Sequence, residues 1–365
     1  LRVGVVLALG GGGGFVFYNF RHYGEEISPG PGVTDTFRLS RYFEGIEGTA
    51  GDTDVYVLKG EGDGGSMLVL GGTHPNEPSG HLAAITLIER AVVEAGTVYV
   101  IPRTNNSAFT HNDSQEASPH FYHLTTASGE RTFPYGSRAT NPLDQWPDPD
   151  VYIHASSGQP LSGSETRNIN RGYPGIPDGT MTEQVCYAIT TMIKDLSIDV
   201  TVDLHEASPE YPTINAMVSH ENAMDLASWS VLEMQLAGVD ISLEPSPVSL
   251  RGLTHRELGD HTDTLAVLME TGNASQGRLR GRTDEALVLT GIDKFYTSAA
   301  KLGFLYIPYD DTGVSIEERT GRHLQGILDL AGSYGLLYGE EIAISNVPTY
   351  DELMAPGVSL GDFLN

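Results

Sequence analysis

The stretch Ser66–Gly80, SMLVLGGTHPNEPSG, combines the pattern of a buried strand with two side chains that can bind a metal. Its apolar run Met67–Leu70 is typical of a strand inside an α/β protein, and the two glycines that follow allow a sharp turn. Pro78 then stands where a helix begins. His74 and Glu77 lie on the loop between the two elements. Open α/β sheets bind ligands at the carboxyl ends of their strands, so we predict a functional site on this loop.

A second stretch, Val200–Glu206 (VTVDLHE), offers a third metal-binding side chain at the end of another buried-strand pattern. His205 is expected to face the same crevice as His74 and Glu77, and Asp203 could orient an imidazole from behind. Catalytic zinc sites usually take three protein ligands of these types and leave a position for water. We therefore predict one Zn²⁺ per chain, bound by these two histidines and the glutamate.

Four motifs occur in the order in which one known family carries them: HPNE at 74–77, INRGYPG at 169–175, DLHEASPEYP at 203–212 and LMETG at 268–272. Together they resemble the zinc carboxypeptidase superfamily, specifically its succinylglutamate desuccinylase/aspartoacylase branch. The Asn-Arg-Gly-Tyr-Pro-Gly sequence favours this branch over the digestive-type peptidases. The resemblance extends roughly from Val55 to Gly272. It implies a single α/β domain with a central mixed β-sheet and helices on both faces.

The resemblance also implies roles for residues that do not bind the metal. Glu270, at the end of its predicted strand, would take a proton from the attacking water and later give it to the leaving amine. Asn170 and Arg171 would bind the carboxylate of the substrate, and Arg167 would face the oxyanion that develops during amide hydrolysis. The expected reaction is cleavage of an amide bond next to a free carboxylate, in an N-acyl amino acid or a peptide.

Two alternatives to a deacylase remain open from the sequence. A metallocarboxypeptidase acting on peptides or cell-wall peptides is favoured by the long irregular segment 107–164 and by the lack of a strand pattern for the C-terminal β domain that the deacylase branch often carries. A non-catalytic binding or surface-assembly protein on the same fold would not require His74, Glu77, His205 and Glu270 together. A serine hydrolase is disfavoured because no Gly-x-Ser-x-Gly motif occurs.

The composition limits the partners and the location of the protein. With 21 basic and 48 acidic residues the net charge is −27, which argues against nucleic acid as a partner. Cys186 is the sole cysteine, so no internal disulfide forms. The N-terminal segment 1–22 is apolar, with Arg2 as the only charge before Arg21, and is typical of a secretory signal or a membrane anchor. We expect an extracytoplasmic location with membrane attachment through this segment; the oligomeric state is not indicated.

The expected organisation is the N-terminal segment 1–22, a catalytic domain at 38–337 with an insertion at about 107–164, and a C-terminal tail at 338–365. Strands at 66–71, 200–204 and 266–270 are expected to be neighbours near the centre of the sheet. Helices are expected at Thr180–Leu196, Ala223–Ala237, Asp284–Leu302 and Ile316–Leu337.

Overall fold

A computed structural model of the chain describes residues 2–113 and 116–365, and in the first helix it describes side chains from Gly10 onward. The helices are α1 Arg2–His22, α2 Pro78–Arg90, α3 Met181–Leu196, α4 Met224–Leu236, α5 Thr254–His261, α6 Glu285–Thr290, α7 Lys294–Lys301, α8 Ile316–Tyr338 and α9 Tyr350–Leu353. The strands are β1 Val33–Arg38, β2 Asp54–Lys59, β3 Gly62–Leu70, β4 Val92–Ile101, β5 Phe121–Thr126, β6 Gly129–Pro134, β7 Val151–Ile153, β8 Pro160–Ser162, β9 Val200–Ala207, β10 Ala216–Ser219, β11 Ser242–Pro245, β12 Leu265–Gly272 and β13 Ala343–Ser345.

A mixed sheet forms the centre of the fold, with the strand order β1-β2-β4-β3-β9-β12-β10-β11 and with β13 added beside β4. The neighbouring pairs β4/β3, β3/β9 and β9/β12 are parallel, whereas β2 and β10 join the sheet antiparallel to β4 and β12. The strands predicted at 66–71, 200–204 and 266–270 are therefore adjacent near the centre, as expected. The predicted α/β fold with a mixed sheet is confirmed.

Alternate side chains of β3 pack on opposite faces of the sheet. Met67 and Val69 belong to the core that contains α2, α4 and α8, whereas Leu68 and Leu70 belong to the core that contains α3 and Leu258 of α5. A strand covered by helices on both faces needs apolar residues at every position, which explains the uninterrupted run in the sequence. Helices thus cover both faces of the sheet, as the fold prediction stated.

The turn after β3 directs the chain across the carboxyl end of the sheet. Gly72 has a φ of +63°, and a Cβ atom there would lie 2.6 Å from both the Pro102 carbonyl oxygen and the Phe109 ring. Only glycine combines this left-handed conformation with so close a backbone approach. The turn leads into α2, whose first residue is Pro78. In the parallel pair β9/β12, His205 lies directly beside Glu270.

The predicted segment boundaries differ from the structure at several points. Residues 338–365, expected as a tail, contribute β13 to the sheet and bury Leu353, Leu360 and Leu364 in the core. Strand β1 pairs with β2, so the sheet begins before residue 38. The helix expected at Asp284–Leu302 is divided into α6 and α7 at Gly291, which has a φ of +62°. The segment 107–164 contains the hairpins β5–β6 and β7–β8.

Helix α1 is exposed over most of the part whose side chains are described. Residues 10–19 are exposed, although Phe17 contacts His120; Phe20 stacks on His120, and Arg21 pairs with Asp144 at 2.5 Å. Among the described residues, no helix combines the length and the apolar character needed to cross a membrane. Membrane attachment and an extracytoplasmic location stay predictions.

Candidate active site

A cavity of about 370 Å³ lies at the carboxyl ends of β3, β9 and β12. The loop after β3 and the strands β9 and β12 contribute chemically active side chains to its wall. The predicted metal ligands and the predicted base line it together with the Asn-Arg pair: His74, Glu77, Asn170, Arg171, His205 and Glu270. Of the seven residues predicted to bind the metal, bind the substrate or act in catalysis, Arg167 alone does not line this cavity.

The Glu77 carboxylate lies between the two predicted histidine ligands. Its Oε1 is 2.9 Å from His74 Nδ1, and its Oε2 is 3.0 Å from His205 Nδ1. One ligand atom from each of the three residues falls within 4.8 Å of the others. Burial alone would raise the pKa of Glu77, but the two imidazoles outweigh it and hold that pKa well below its usual value. The predicted triad is therefore assembled, with an ionised carboxylate at its centre.

The outer nitrogen of each imidazole is bonded to a side chain that fixes the ring. His205 Nε2 is 2.9 Å from Asp203, and His74 Nε2 is 2.9 Å from the Asn168 Oδ1. The Asn168 amide is oriented because its nitrogen donates to Glu165 at 2.7 Å, so its oxygen must accept from His74. Such outer partners leave Nδ1 as the atom that binds a metal. Asp203 has the orienting position predicted from the sequence.

The contacts of the two His74 ring nitrogens indicate whether the triad is suited to bind a cation. Burial lowers the pKa of His74, as does the nearby Arg138 charge, and Glu77 acts in the opposite direction. With the proton on Nε2 donated to Asn168, the Nδ1 atom of His74 faces the Glu77 oxygen at 2.9 Å. Two acceptors at that separation repel each other unless a cation or a proton lies between them. The donor set of two imidazole nitrogens and a carboxylate suits Zn²⁺.

Glu270 presents a carboxylate with an unused oxygen to this cavity. Its Oε2 is enclosed and has no hydrogen-bond partner among the described residues. Burial raises the pKa of Glu270 to about 8; Glu77 and Asp203 act in the same direction, against His205 and Arg138. A carboxyl group with such a pKa can both accept and donate a proton near neutral pH. The arrangement suits proton transfer to and from a water molecule in the cavity.

The Asn-Arg pair is held in place by α5 and by its own backbone. Asn170 Oδ1 accepts hydrogen bonds from the Thr254 backbone nitrogen and hydroxyl at 2.8 and 3.0 Å. Arg171 donates to the Asn170 carbonyl at 2.6 Å, and the nearest carboxylate, that of Glu165, is 3.9 Å from its Nε. Burial and the Arg138 charge lower the pKa of Arg171. Most donors of this guanidinium are thus left for an anionic ligand.

The oxyanion role predicted for Arg167 is not supported by its position. Its Nε and Nη2 donate to Asp148 at 2.7 and 2.9 Å, and its Nη1 donates to the Thr140 carbonyl. A guanidinium paired in this way cannot respond to a charge that develops in the cavity. Arg138 lines the cavity instead, and no ion pair forms between it and an acidic residue in the part of the chain that the structure describes.

Arg138 was missed because it lies in the irregular segment 107–164, where no periodicity marks which side chains turn inward. The sequence that begins at Ser137, SRATNPLDQW, contains no motif and no spacing to the Asn-Arg pair that would indicate a functional arginine. Asn168 was missed for a different reason, since only the folded loop brings it against His74. The buried His255 also lines the cavity, and it lies in none of the motifs found in the sequence.

Comparisons with known proteins agree with the motifs. No protein-family profile matches the chain. It is 27% identical over 168 residues to N-alpha-acetyl-L-2,4-diaminobutyric acid deacetylase of Halomonas elongata, which covers 46% of this chain and 35% of that protein. The deacetylase belongs to the branch that the motifs resemble. The predicted family resemblance is confirmed.

Among solved structures, two proteins resemble part of this chain. A succinylglutamate desuccinylase/aspartoacylase from Rhodobacter sphaeroides has 16% identity and a TM-score of 0.41, covering 82% of this chain and 62% of that chain. A metallo-carboxypeptidase from Burkholderia cenocepacia has 11% identity and a TM-score of 0.46, covering 84% and 66%. These overlays are partial and describe the general fold only. The chain spans about a third of the curated relative and less than two thirds of the first structure.

The raised pKa of Glu270 predicts a pH-dependent effect of Glu270→Gln in metal-free protein. The native carboxyl keeps its proton up to about pH 8, whereas the unfolded one loses it near 4.5. The native state therefore binds more protons, and Glu270 makes folding less favourable as pH rises between these values. Glutamine does not titrate, so the stability of Glu270→Gln relative to the wild type should increase by about 3–4 kcal/mol from pH 5 to pH 8.

Urea unfolding at the two pH values measures this difference. Glu61→Gln, at an exposed position in the turn between β2 and β3, is the matched control and should give the same small effect at both pH values. A Glu270→Gln effect that does not change with pH would show that the native carboxyl is already ionised at pH 5.

Proposed function

We propose that this protein is a zinc-dependent hydrolase that cleaves an amide bond next to a free carboxylate, as an N-acyl amino acid deacylase. One observation carries the proposal: the unpartnered Glu270 carboxylate lies in the same cavity as the His74–Glu77–His205 triad and the Arg171 guanidinium. A base, a metal-ligand set and an anion-binding group are the parts that such a reaction needs. The sequence relative, which is a deacetylase, supports the same class.

His74, Glu77 and His205 would hold the metal through two imidazole nitrogens and a carboxylate. Bound Zn²⁺ supplies a Lewis acid that brings the pKa of a coordinated water to about 7. In the metal-free protein, burial lowers the pKa of His205, but Asp203 and Glu77 outweigh it and raise that pKa well above its usual value. The proton on His205 Nδ1 would have to leave when the metal binds, so binding should weaken as pH falls.

Glu270 is assigned the proton transfers. It takes a proton from the water that attacks the amide carbonyl and gives it to the nitrogen of the leaving amine, so one residue acts in turn as base and acid. Its unused oxygen and raised pKa suit both steps. No neighbouring donor is bonded to that oxygen among the described residues.

Two arginines are each assigned one negatively charged group of the reacting substrate. Arg171, beside Asn170, would bind the carboxylate that flanks the scissile amide, because a guanidinium can hold a carboxylate through two parallel hydrogen bonds. Arg138 would face the oxyanion that develops on the carbonyl, where a fixed positive donor contributes most. Both side chains line the cavity, and Arg138 also lies close enough to Glu270 to lower its pKa.

A carboxypeptidase acting on peptides is the second candidate, and one observation favours it. A further cavity of about 240 Å³ adjoins the first, and Arg138, Gln276 and Gly277 line both. Such a space could hold additional residues on the acyl side of the scissile bond, which a small acyl group would not need. The two functions differ in which substrates are cleaved rather than in the proposed chemistry.

Replacing Glu270 by Gln tests the assignment of the base. Gln matches Glu in shape but cannot accept the proton, so kcat should fall by about 10²–10⁴-fold while zinc content stays at one per chain. His74→Ala should lose zinc and activity together. The assay uses a panel of N-acetyl amino acids and short peptides, with metal analysis of the same samples. Turnover by Glu270→Gln at the wild-type rate would refute the role.

A matched pair of arginine variants tests the oxyanion assignment. Arg138→Gln should lower kcat by about 10²–10³-fold, as removal of an oxyanion donor does elsewhere, with a smaller change in KM. Arg167→Gln, which disrupts the contact with Asp148, should act mainly on stability. If Arg167→Gln lowers kcat and Arg138→Gln does not, the sequence-based assignment was right and the one made here is wrong.

A further inference from the structure

Residues 278–302 differ from the rest of the chain in their charge. They carry five basic and three acidic residues, whereas the whole chain carries 21 and 48. Two of the four lysines in the chain, Lys294 and Lys301, lie at the two ends of the short helix α7. Four of the five basic side chains are exposed and form no ion pair with a described residue: Arg278, Arg282, Lys294 and Lys301. This part of an acidic protein is therefore a local cationic surface.

Large apolar side chains are exposed at the same place. Helix α7 buries Tyr296 and Ala299. Its opposite face, with Lys294, Phe295 and Lys301, is therefore open to solvent. The exposed apolar side chains of this region, each 39–68% exposed, are Leu279, Ile292, Phe295, Leu302, Phe304 and Tyr306. Clustered apolar groups of this kind mark an interaction site. We call the exposed cationic and apolar residues between 278 and 306 the α7 surface.

The loop 278–282 and α7 are held together by carboxylates that are already engaged. Glu210 accepts hydrogen bonds from two backbone nitrogens of this loop at 2.7 and 3.0 Å and from the Tyr296 hydroxyl at 3.0 Å. Asp293 accepts from the Gly281 backbone nitrogen at 2.9 Å. Both carboxylates thus join the loop to the helix and do not neutralise the exposed cations, so the α7 surface is continuous and positively charged.

The α7 surface adjoins both the catalytic cavity and the attachment of α1. Its first residue directly follows Gly277, which lines the cavity. Arg280 forms an ion pair with Glu116, and four residues further along the chain His120 stacks on Phe20 of α1. The exposed apolar helix α1 and the α7 surface are therefore attached to the same short segment of the chain.

We propose that the α7 surface docks on a lipid bilayer that carries anionic headgroups. Cationic side chains attract such headgroups, and exposed aromatic and aliphatic side chains insert at the boundary of the acyl chains. A bilayer also accounts for the exposed apolar helix α1 beside this surface, whereas an acidic protein would complement only the cations. The inference goes beyond the proposed function and does not depend on it.

The net charge of −27 does not prevent this docking, because salt screens interactions between exposed charges beyond about 8–10 Å. A headgroup therefore interacts more strongly with the cations of the α7 surface than with acidic residues elsewhere. Docking would bring the mouth of the catalytic cavity close to the bilayer, since Gly277 lies at the border of both.

Vesicle binding by the full chain tests the role of the cations. The vesicles contain phosphatidylcholine alone or with about 30% phosphatidylglycerol, whose headgroup is anionic. Each basic residue near such a surface contributes about fivefold, so Lys294→Gln/Lys301→Gln should weaken binding to the anionic vesicles by about 25-fold. Lys59→Gln/Lys194→Gln is the matched control; it removes the other two lysines, both exposed, and should weaken binding less than about twofold. Helix α1 is unchanged in both variants, so its own affinity for lipid cancels.

A tryptophan at position 304 tests contact with the bilayer independently of affinity. Phe304→Trp in a Trp146→Phe background leaves Trp229 of α4 as the only other tryptophan. Brominated acyl chains should quench the new tryptophan, whereas the Trp146→Phe parent should show no quenching. Leu302→Ser should weaken binding to both kinds of vesicle by at least about tenfold, and Leu236→Ser, at a similarly exposed position of α4, should not.

Equal losses in the two lysine pairs, equal binding of the wild type to both kinds of vesicle, or no quenching at position 304 would each overturn the proposal. Sedimentation without lipid is measured in parallel. Self-association that Lys294→Gln/Lys301→Gln abolishes, without vesicle binding, would assign the surface to a second copy of the chain instead. Circular dichroism confirms that each variant is folded. No readout requires hydrolysis, so failure of the proposed hydrolase function would leave the result for the α7 surface unaffected.

Discussion

The Glu77 carboxylate between two imidazoles is the interaction on which the rest of the site depends. Its Oε2 accepts from His205 and from the Glu206 backbone nitrogen, both at 3.0 Å, and its Oε1 faces His74. Glu77 can occupy this position because the turn after β3 directs the chain over the carboxyl end of β9 and α2 begins directly after it. A change in this turn would displace His74 and Glu77 relative to His205, because the first two lie on the loop after β3 and the third lies on β9.

The cavity places two arginines among several carboxylates. In a chain with a net charge of −27, Arg138 and Arg171 line the cavity together with Glu77, Glu206, Glu244 and Glu270. Behind the triad, Glu206 forms a fully buried ion pair with Arg319 of α8 at 2.8 Å. Breaking such a pair by removing one partner leaves an uncompensated buried charge. Within the cavity, the guanidiniums of Arg138 and Arg171 are therefore the groups suited to bind an anionic part of a substrate.

Much of the site was predictable because it lies at the ends of regular strands. The apolar runs before His74, His205 and Glu270 marked three central strands, and their parallel register brings the residues together. Arg138 was not predictable, because its position depends on an irregular loop whose path no periodicity encodes. The C-terminal strand β13 and helix α9 were missed because elements of three and four residues are too short to repeat the period of a strand or a helix twice.

The claim that His74, Glu77 and His205 form a zinc centre is tested most directly by anomalous diffraction at the zinc edge, on crystals of zinc-loaded protein. The account predicts one strong peak per chain, at roughly 2.0–2.2 Å from Nδ1 of both histidines and from a Glu77 oxygen. Because Nε2 of His74 and of His205 is engaged by Asn168 and Asp203, ligation through Nε2 would contradict it. A peak at another cluster, or none at the triad in zinc-saturated crystals, would also contradict it.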